Sequence, residues 1–354
     1  MRLLFEMAKK GWEADSDADS DAESGEERTV LRNFDDGDSD DDEDEIELVK
    51  LASDMRKAAA CTRVRYRHPR LRLVVPKIEE GVSREIHDLL KVIRSYGITV
   101  ECGESALFSD VGGEKGHSTI AHEHLHHLLP TPFKSFSPTL NVDCTLLLAL
   151  VSDLSHLKNI APSPAYHRAI IRQLEFESER PLLTTELWPA MDDHDLVCTE
   201  EAAKRMREIV DTIGTDTEKR RTQILLGDPP FDSRGTNLVI QAFQELSDYE
   251  IPSQLKMPIK TVEAKSVIDS GIGQGKLPAV SHKVAEILSD INHSVFFYGW
   301  VTGITTISSN RTVVKQIETI VEEKRNGDED LEGPQIWVCD TARSLIGKEK
   351  GRKN

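Results

Sequence analysis

The sequence lacks any long apolar run, any paired-cysteine motif and any complete phosphate-loop motif. No segment approaches the roughly 18 apolar residues of a membrane-spanning helix, so we expect no membrane association. The five cysteines are an odd number and lie far apart without a Cys-x-x-Cys pair. This spacing argues against a zinc ribbon and predicts reduced thiols in an intracellular protein, either cytoplasmic or nuclear. The stretch GIGQGKL, residues 271–277, lacks the Gly and Ser/Thr that a P-loop requires, and predicts a flexible loop.

Negative charge is concentrated in one N-terminal stretch. Between Glu13 and Glu47 there are 18 acidic and two basic residues, which account for −16 of the net charge of −18. Such a stretch cannot bury apolar surface and repels itself, so residues 1–54 are predicted to be a disordered acidic tail. The remainder of the chain is nearly neutral. Basic proteins are the candidate partners of the tail.

A basic segment follows the tail, and we define residues 55–102 as a basic N-terminal α/β extension. Its charged residues alternate with apolar ones, as in a strand that carries three guanidinium groups on one face: Arg63, Arg65 and Arg67, separated by Val64 and Tyr66. The arginines are candidates for contacts with RNA phosphates, and Tyr66 for stacking on a base. The alternative is a positive face that docks on other proteins or folds back on the acidic tail.

The rest of the chain divides into a linker and an α/β domain. Residues 103–137 are rich in Gly, Ser, Pro and His and predict a flexible linker. Its histidines, between 117 and 127, have spacings found in zinc sites, but their loop-like surroundings favour a solvated linker. From 138 to 348, strand-like and helix-like segments alternate, which predicts a mostly parallel sheet. The stretch SVFFYGWVTGITTISSN, residues 294–310, predicts one or two of these strands.

Asp143 is set between a strand-like run, LNV, and an apolar helix-like run, TLLLALVSDL. Ligands of α/β sheets collect beyond the carboxyl ends of the strands, so a carboxylate in this place is a candidate metal ligand. The alternative is an ordinary N-cap, because Asp before a helix can accept hydrogen bonds from the first backbone N–H groups.

Four motifs in this order resemble the domain of unknown function 1308 family: LNVDCTLLLALVSDLSH, LVCTEEAAKRMREIVDTIG, TTISSN and PQIWVCDTARSLIG. This is a eukaryotic PIN-like family without a settled activity, and the likeness covers about residues 138–347. The resemblance implies a PIN-like three-layer α/β fold with a mostly parallel central sheet.

The resemblance also implies where a metal site would lie. PIN-type nucleases hold Mg²⁺ or Mn²⁺ with three or four carboxylates, and the metal activates water. Asp143 takes the first acidic position and Glu208 the second. Trp300 or a neighbour stands at the third position, where no carboxylate occurs. The fourth falls at Asn310, whose amide oxygen can coordinate a metal but adds no charge, and Asp340 could compensate in part.

These candidates also have purely structural interpretations. Glu208 lies among charged residues that form surface ion pairs on a helix, and Asn310 precedes a helix that it could cap. The incomplete acidic set favours a degenerate nuclease that acts as a binding or regulatory module, with RNA as the candidate ligand. The alternatives are an active metal-dependent ribonuclease that uses Asp143 and Glu208, with Asn310, and a protein-interaction scaffold with an acidic tail.

Overall fold

The computed structural model describes residues 47–103 and 132–347, apart from positions 162, 165, 233–234 and 340. The acidic stretch up to residue 46 and most of the predicted linker, with its histidines, lie outside the described residues. The chain divides into the unit Met1–Glu47 and the compact unit Leu48–Asn354. The finer boundaries predicted at residues 103 and 138 stay predictions. None of the helices in the described part is long and apolar enough to cross a membrane.

Seven strands lie in the described part of the chain, in two parallel sheets. The smaller sheet pairs β1 (Arg72–Val75) with β2 (Thr99–Cys102). The larger sheet contains β3 (Thr139–Val142), β4 (Asp195–Thr199), β5 (Lys260–Val262), β6 (Thr305–Ser308) and β7 (Ile336–Val338). Its strand order is β5-β4-β3-β6-β7, and every neighbouring pair is parallel.

Helices supply the crossovers that parallel strands require. In chain order they are α1 (Glu47–Cys61), α2 (Arg84–Ser95), α3 (Cys144–Ala149), α4 (Asp153–His156), α5 (Arg168–Glu179), α6 (Trp188–Met191), α7 (Glu200–Ile213), α8 (Asp216–Leu225), α9 (Thr236–Gln244), α10 (Lys265–Gly273), α11 (Ser281–Ile287), α12 (Asp290–Thr302) and α13 (Arg311–Glu323). A short 3₁₀ helix spans Pro132–Ser135, and a π-helical turn, Leu183–Leu187, leads into α6.

The five-stranded sheet is buried on both faces. Leu140 and Val142 of β3 belong to the larger apolar core on one face, whereas Asn141 between them donates to Val295 O of α12 on the other face at 2.8 Å. In β7, Trp337 belongs to the larger core and Ile336 to the second core, as the two-residue period of a strand requires. The predicted α/β class, with a parallel central sheet flanked by helices, is confirmed.

Helix α12 corrects one prediction. Residues 294–310 resemble strands because they are rich in β-branched and aromatic side chains, but a helix buried nearly all round has the same composition. Its ends carry ordinary signals, since Ser289 Oγ accepts from Asn292 N at 3.5 Å and Gly303 has a left-handed φ of 70°. Only the last part of the stretch, β6, is a strand.

The predicted loop GIGQGKL is also partly wrong, because its first three residues end helix α10. Gly271 permits this helix to pack closely on α12. A Cβ atom at position 271 would overlap the Val301 side chain. The glycine here serves helix packing, not phosphate binding.

The N-terminal end of the described chain corrects the predicted tail. Disorder was expected up to residue 54, but α1 begins at Glu47. Ala52 is buried in a small third core with Leu90 and Ile93 of α2, and Leu48 packs against this core. Apolar residues at helical spacing therefore outweigh the acidic composition from residue 47 onwards.

A buried ionic network joins α4, α8 and the C-terminal segment. Arg221 is fully buried and pairs with Asp153 at 2.6 Å, while its guanidinium also donates to the carbonyls of Val151 and Leu246 at 3.0 and 2.9 Å. Glu218, also fully buried, accepts from the backbone N–H groups of Asp153 and Ile346, each at 3.0 Å. Every charged group in this network is thus compensated.

The segment after β7 is fixed by further buried contacts. Arg343 pairs with Glu177 of α5, with an Nε–Oε2 distance of 2.6 Å, and both side chains are buried. The Ser344 carbonyl accepts from Ser152 Oγ at 2.7 Å, and its N–H donates to Gln173 Oε1 at 2.8 Å. These contacts hold the C-terminal segment against α5 and the residue that precedes α4.

Replacing Arg221 with Leu should destabilise the protein strongly. The change leaves Asp153 buried without its partner, and breaking a buried pair in this way costs about 3–5 kcal/mol. The free energy of unfolding in urea measures the loss. Arg205→Leu is the matched control, because Arg205 is half-exposed in a surface pair, which contributes at most about 1 kcal/mol. Equal losses in the two variants would contradict a structural role for the buried pair.

Candidate functional site

The order of the large sheet reverses between β3 and β6. From β3 the chain proceeds to β4 and β5 on one side and then returns to β6 and β7 on the other. Ligands of open parallel sheets bind beyond the carboxyl ends of the strands at such a reversal. Val142 is paired with Ile307, which brings Asp143 beside Ser308, and Asp143 N donates to Ile307 O at 3.0 Å. The strand-end position predicted for Asp143 is therefore correct.

Side chains of the protein itself bridge this crevice. Asp143 is only 2% exposed, and its Oδ2 accepts from Ser308 Oγ at 2.5 Å and from Thr145 Oγ1 at 2.8 Å. Each hydroxyl is held by a second bond, because Ser308 Oγ accepts from Asn310 N at 2.9 Å and Thr145 Oγ1 accepts from Ser309 N at 3.1 Å. We call these five residues the Asp143 bridge.

Burial dominates the electrostatics of the bridge. It raises the pKa of Asp143 above its ordinary value, and the hydrogen bonds from Ser308 and Thr145 lower the pKa only in part. Both hydroxyls donate to the same oxygen, Oδ2, and so fix the orientation of the carboxyl group. The hydrogen bond from Ser308 joins the carboxyl end of β6 to Asp143 at the end of β3.

The other two predicted metal ligands serve local structure. Glu208 is exposed on α7 and accepts from Arg205 Nη1 at 3.3 Å, which is a surface pair one turn apart. Asn310 is the N-cap of α13, and its Oδ1 accepts from Val313 N at 3.3 Å. Trp300 packs edge-on against Phe297, with ring centroids 5.6 Å apart, as part of the second core.

A metal centre does not emerge from the residues that the structure describes. Among them, no three His, Cys, Asp or Glu side chains form a group that could hold a metal ion. Asp340, which could have compensated in part, lies outside the described residues.

Two cysteines close to this edge are not set up as nucleophiles. Burial raises the pKa of Cys144 to about 12, with the nearby Asp143 charge adding to the effect. Burial likewise raises the pKa of Cys198 to about 11. Because the thiolate is the reactive form, these side chains act as core residues.

Two polar contacts near the strand ends were not predicted from the sequence. Glu201 Oε2 accepts from Ser294 Oγ at 2.6 Å, which joins α7 to α12. Cys339, the residue after β7, donates its thiol to Glu186 Oε2 at 3.4 Å. The available signal for Glu201 was its place in the first turn of the helix after β4, but Ser294 lay in a segment predicted as strand.

The arginine-rich residues 63–67, which we call the basic turn, do not form the predicted strand. Val64 N donates to Arg67 O at 2.9 Å and Arg67 N to Val64 O at 3.2 Å, while Arg65 and Tyr66 between them have left-handed φ values of 50° and 70°. Tyr66 is 7% exposed and belongs to the second core. Long-range packing of this ring overrides the alternating pattern, and the ring is not presented for stacking on a base.

Carboxylates of α13 and the following loop surround the flanking arginines. Arg63 pairs with Glu329 and lies 3.6 Å from Glu322, and Arg67 pairs with Glu332. Arg65 Nη1 donates to Ser135 Oγ at 3.2 Å. The three guanidinium groups predicted to share one face therefore have different neighbours.

The family resemblance can be compared directly with this geometry. A model of the family described as Protein of unknown function (DUF1308) matches residues 140–228. The predicted resemblance is confirmed for that segment. The DUF1308 segment includes Asp143 and Glu208, whereas Asn310 lies beyond it. No curated protein and no solved structure matches the chain.

Ser308→Ala should destabilise the protein more than Ser309→Ala. The first change removes a hydroxyl that donates to the buried Asp143 and accepts from Asn310 N, whereas Ser309 Oγ has no hydrogen-bond partner in the described residues. Leaving a buried acceptor without its donor costs about 1–3 kcal/mol. Urea unfolding of the two variants measures the difference, and equal stabilities would show that the bridge does not hold the strand ends together.

Proposed function

We propose that the region from β3 to β7 is a PIN-like domain whose nuclease site is degenerate, and that it acts as a binding or regulatory module. Its support is the parallel α/β sheet, the match to an uncharacterised family over residues 140–228, and the position of Asp143 at the strand reversal. We also propose that the protein is intracellular, in the cytoplasm or nucleus.

One observation carries the non-catalytic part of the proposal. At the point where a parallel sheet offers its ligand crevice, the Asp143 carboxylate is buried and accepts from Ser308 and Thr145. Among the described residues, no group of three His, Cys, Asp or Glu side chains that could hold a metal ion forms around this carboxylate. The surface pair of Glu208 with Arg205 and the N-cap formed by Asn310 support structural roles for these two residues.

RNA is the ligand that we propose for testing, because the basic segment carries closely spaced arginines. Phosphates would have to compete with Glu322, Glu329 and Glu332 for Arg63 and Arg67. Binding of this kind weakens steeply with salt. It should survive Asp143→Asn and be lost when Arg63, Arg65 and Arg67 are all replaced by Ala, as measured by fluorescence anisotropy with labelled single-stranded RNA. Loss of binding in Asp143→Asn alone would instead place the RNA at the strand reversal.

Cleavage assays test the degenerate site directly. The full chain should leave single-stranded RNA intact in the presence of Mn²⁺ or Mg²⁺, and Asp143→Asn and Glu208→Gln should behave like the wild type. Circular dichroism confirms that the variants are folded. We expect no cleavage because no group of three His, Cys, Asp or Glu side chains that could hold a metal ion occurs among the described residues.

The active ribonuclease makes the opposite prediction in the same assay. Mn²⁺-dependent cleavage by the wild type, abolished in folded Asp143→Asn and Glu208→Gln variants, would overturn the degenerate site. Activity that persists in both variants would indicate a contaminating nuclease, and repurification of the wild type together with the variants would then remove it.

The scaffold hypothesis concerns the acidic stretch, where deletion of residues 13–47 tests whether basic partners bind it.

A further inference from the structure

The basic turn fills a pocket with its aromatic side chain. The Tyr66 ring lies directly against Gly333, where an added Cβ atom would overlap the ring, and it shares a buried cluster with Leu331 and Ile336. Arg325, whose side chain is only 5% exposed, donates from Nη2 to Tyr66 O at 3.3 Å. The pocket thus receives both the ring and the backbone of one residue.

Acidic side chains line the rim of this pocket. Glu322, Glu329 and Glu332 pair with or approach the two arginines that flank the ring, and His68 Nε2 lies 3.4 Å from Glu329. Glu322 also holds Arg325, with an Nε–Oε2 distance of 3.0 Å. We call the apolar floor and this rim the acidic pocket. The side chains that occupy this pocket, an aromatic ring between two guanidinium groups, indicate the kind of ligand that it would bind.

Several features of the basic turn in this position are energetically unfavourable. Two consecutive non-glycine residues, Arg65 and Tyr66, adopt left-handed φ values that are unfavourable for L-amino acids. The Tyr66 hydroxyl and Arg63 Nε are buried and have no hydrogen-bond partner in the described residues. The rim pairs are partly exposed, with Arg67 72% and Glu329 65% accessible, so that salt screens them.

The contacts of the basic turn act in opposite directions. Burial of the ring favours the turn, whereas its backbone conformation, its unsatisfied polar atoms and the screening of its ion pairs oppose it. A segment from another protein that presents the same chemistry without the left-handed backbone could occupy the pocket at lower conformational cost. We propose that the acidic pocket is a docking site for a basic–aromatic–basic segment of a protein partner, and that the basic turn occupies it in cis until displaced.

A synthetic peptide with the sequence of residues 62–68, TRVRYRH, is the probe. The Arg63→Ala/Arg67→Ala variant loosens the cis turn and leaves the pocket carboxylates and Tyr66 unchanged. A tethered occupant competes at an effective concentration in the millimolar range, so the labelled peptide should bind this variant at least about tenfold more tightly than the wild type. Fluorescence anisotropy at low salt measures both affinities.

Two matched controls separate pocket binding from general charge attraction. A peptide in which Ala replaces the tyrosine should lose binding to the double variant, because the ring provides the apolar contact. Adding Gly333→Val to the double variant should also abolish binding, because its side chain fills the place of the ring. Equal affinity for wild type and double variant, binding of the Ala peptide, or no binding at all would overturn the proposal.

Hydrogen exchange on the unmodified protein gives a test that requires no variant to fold. The amides of Val64 and Arg67 donate to each other's carbonyl groups across the turn. Their exchange should therefore accelerate at least about tenfold between about 0.05 M and about 1 M NaCl as the rim pairs are screened. The amide of Thr99, which bonds to Leu71 O away from the turn, is the control and should change little. Salt-independent exchange at Val64 and Arg67 would contradict a displaceable turn.

Discussion

The hydrogen bonds between Asp143 and the hydroxyls of Ser308 and Thr145 fix the two strand ends at which the large sheet reverses. An isolated carboxylate buried this deeply would be strongly unfavourable, so its position depends on the donors that point at it. Those donors are themselves held by backbone N–H groups of Ser309 and Asn310. The start of α13 is therefore set by the same group that ends β3.

The position of α13 also determines where the acidic pocket lies. Helix α13 begins beside the Asp143 bridge and carries Glu322 near its end, and the loop after it supplies Arg325 and Gly333. The acidic pocket and the basic turn thus rest on a helix that the strand reversal positions. Glu218 and Arg343 hold the C-terminal segment through buried contacts of their own.

The sequence predicted most of the regular structure because local signals agreed with the tertiary fold. Thr199, a residue type favoured at N-caps, caps α7 by accepting from Ala202 N at 3.2 Å, and the central strands follow their apolar runs. Helix α12 was mistaken for strand because it is apolar on nearly every side and so has no amphipathic period. The basic turn was mistaken because Tyr66 packs on Gly333, a contact between residues far apart in sequence that no local pattern encodes.

The candidate site was predictable in position but not in chemistry. Asp143 followed a strand-like run and preceded an apolar helix, which was sufficient to place it at the carboxyl edge of the sheet. Its partners could not be inferred, because Ser308 reaches it only when β6 pairs with β3. The roles of Glu208 and Asn310 followed the structural alternatives of surface pairing and helix capping.

The ionisation and metal response of Asp143 test most directly whether this residue joins two strand ends or binds a metal. Carbon-13 NMR of its carboxyl group, followed through a pH titration with and without Mn²⁺, reports both properties on one atom. We expect a titration midpoint above the ordinary aspartate value, since burial raises this pKa, and no selective line broadening by the paramagnetic ion. A midpoint at or below the ordinary value, together with broadening at low Mn²⁺ concentration, would contradict this expectation and identify Asp143 as a metal ligand.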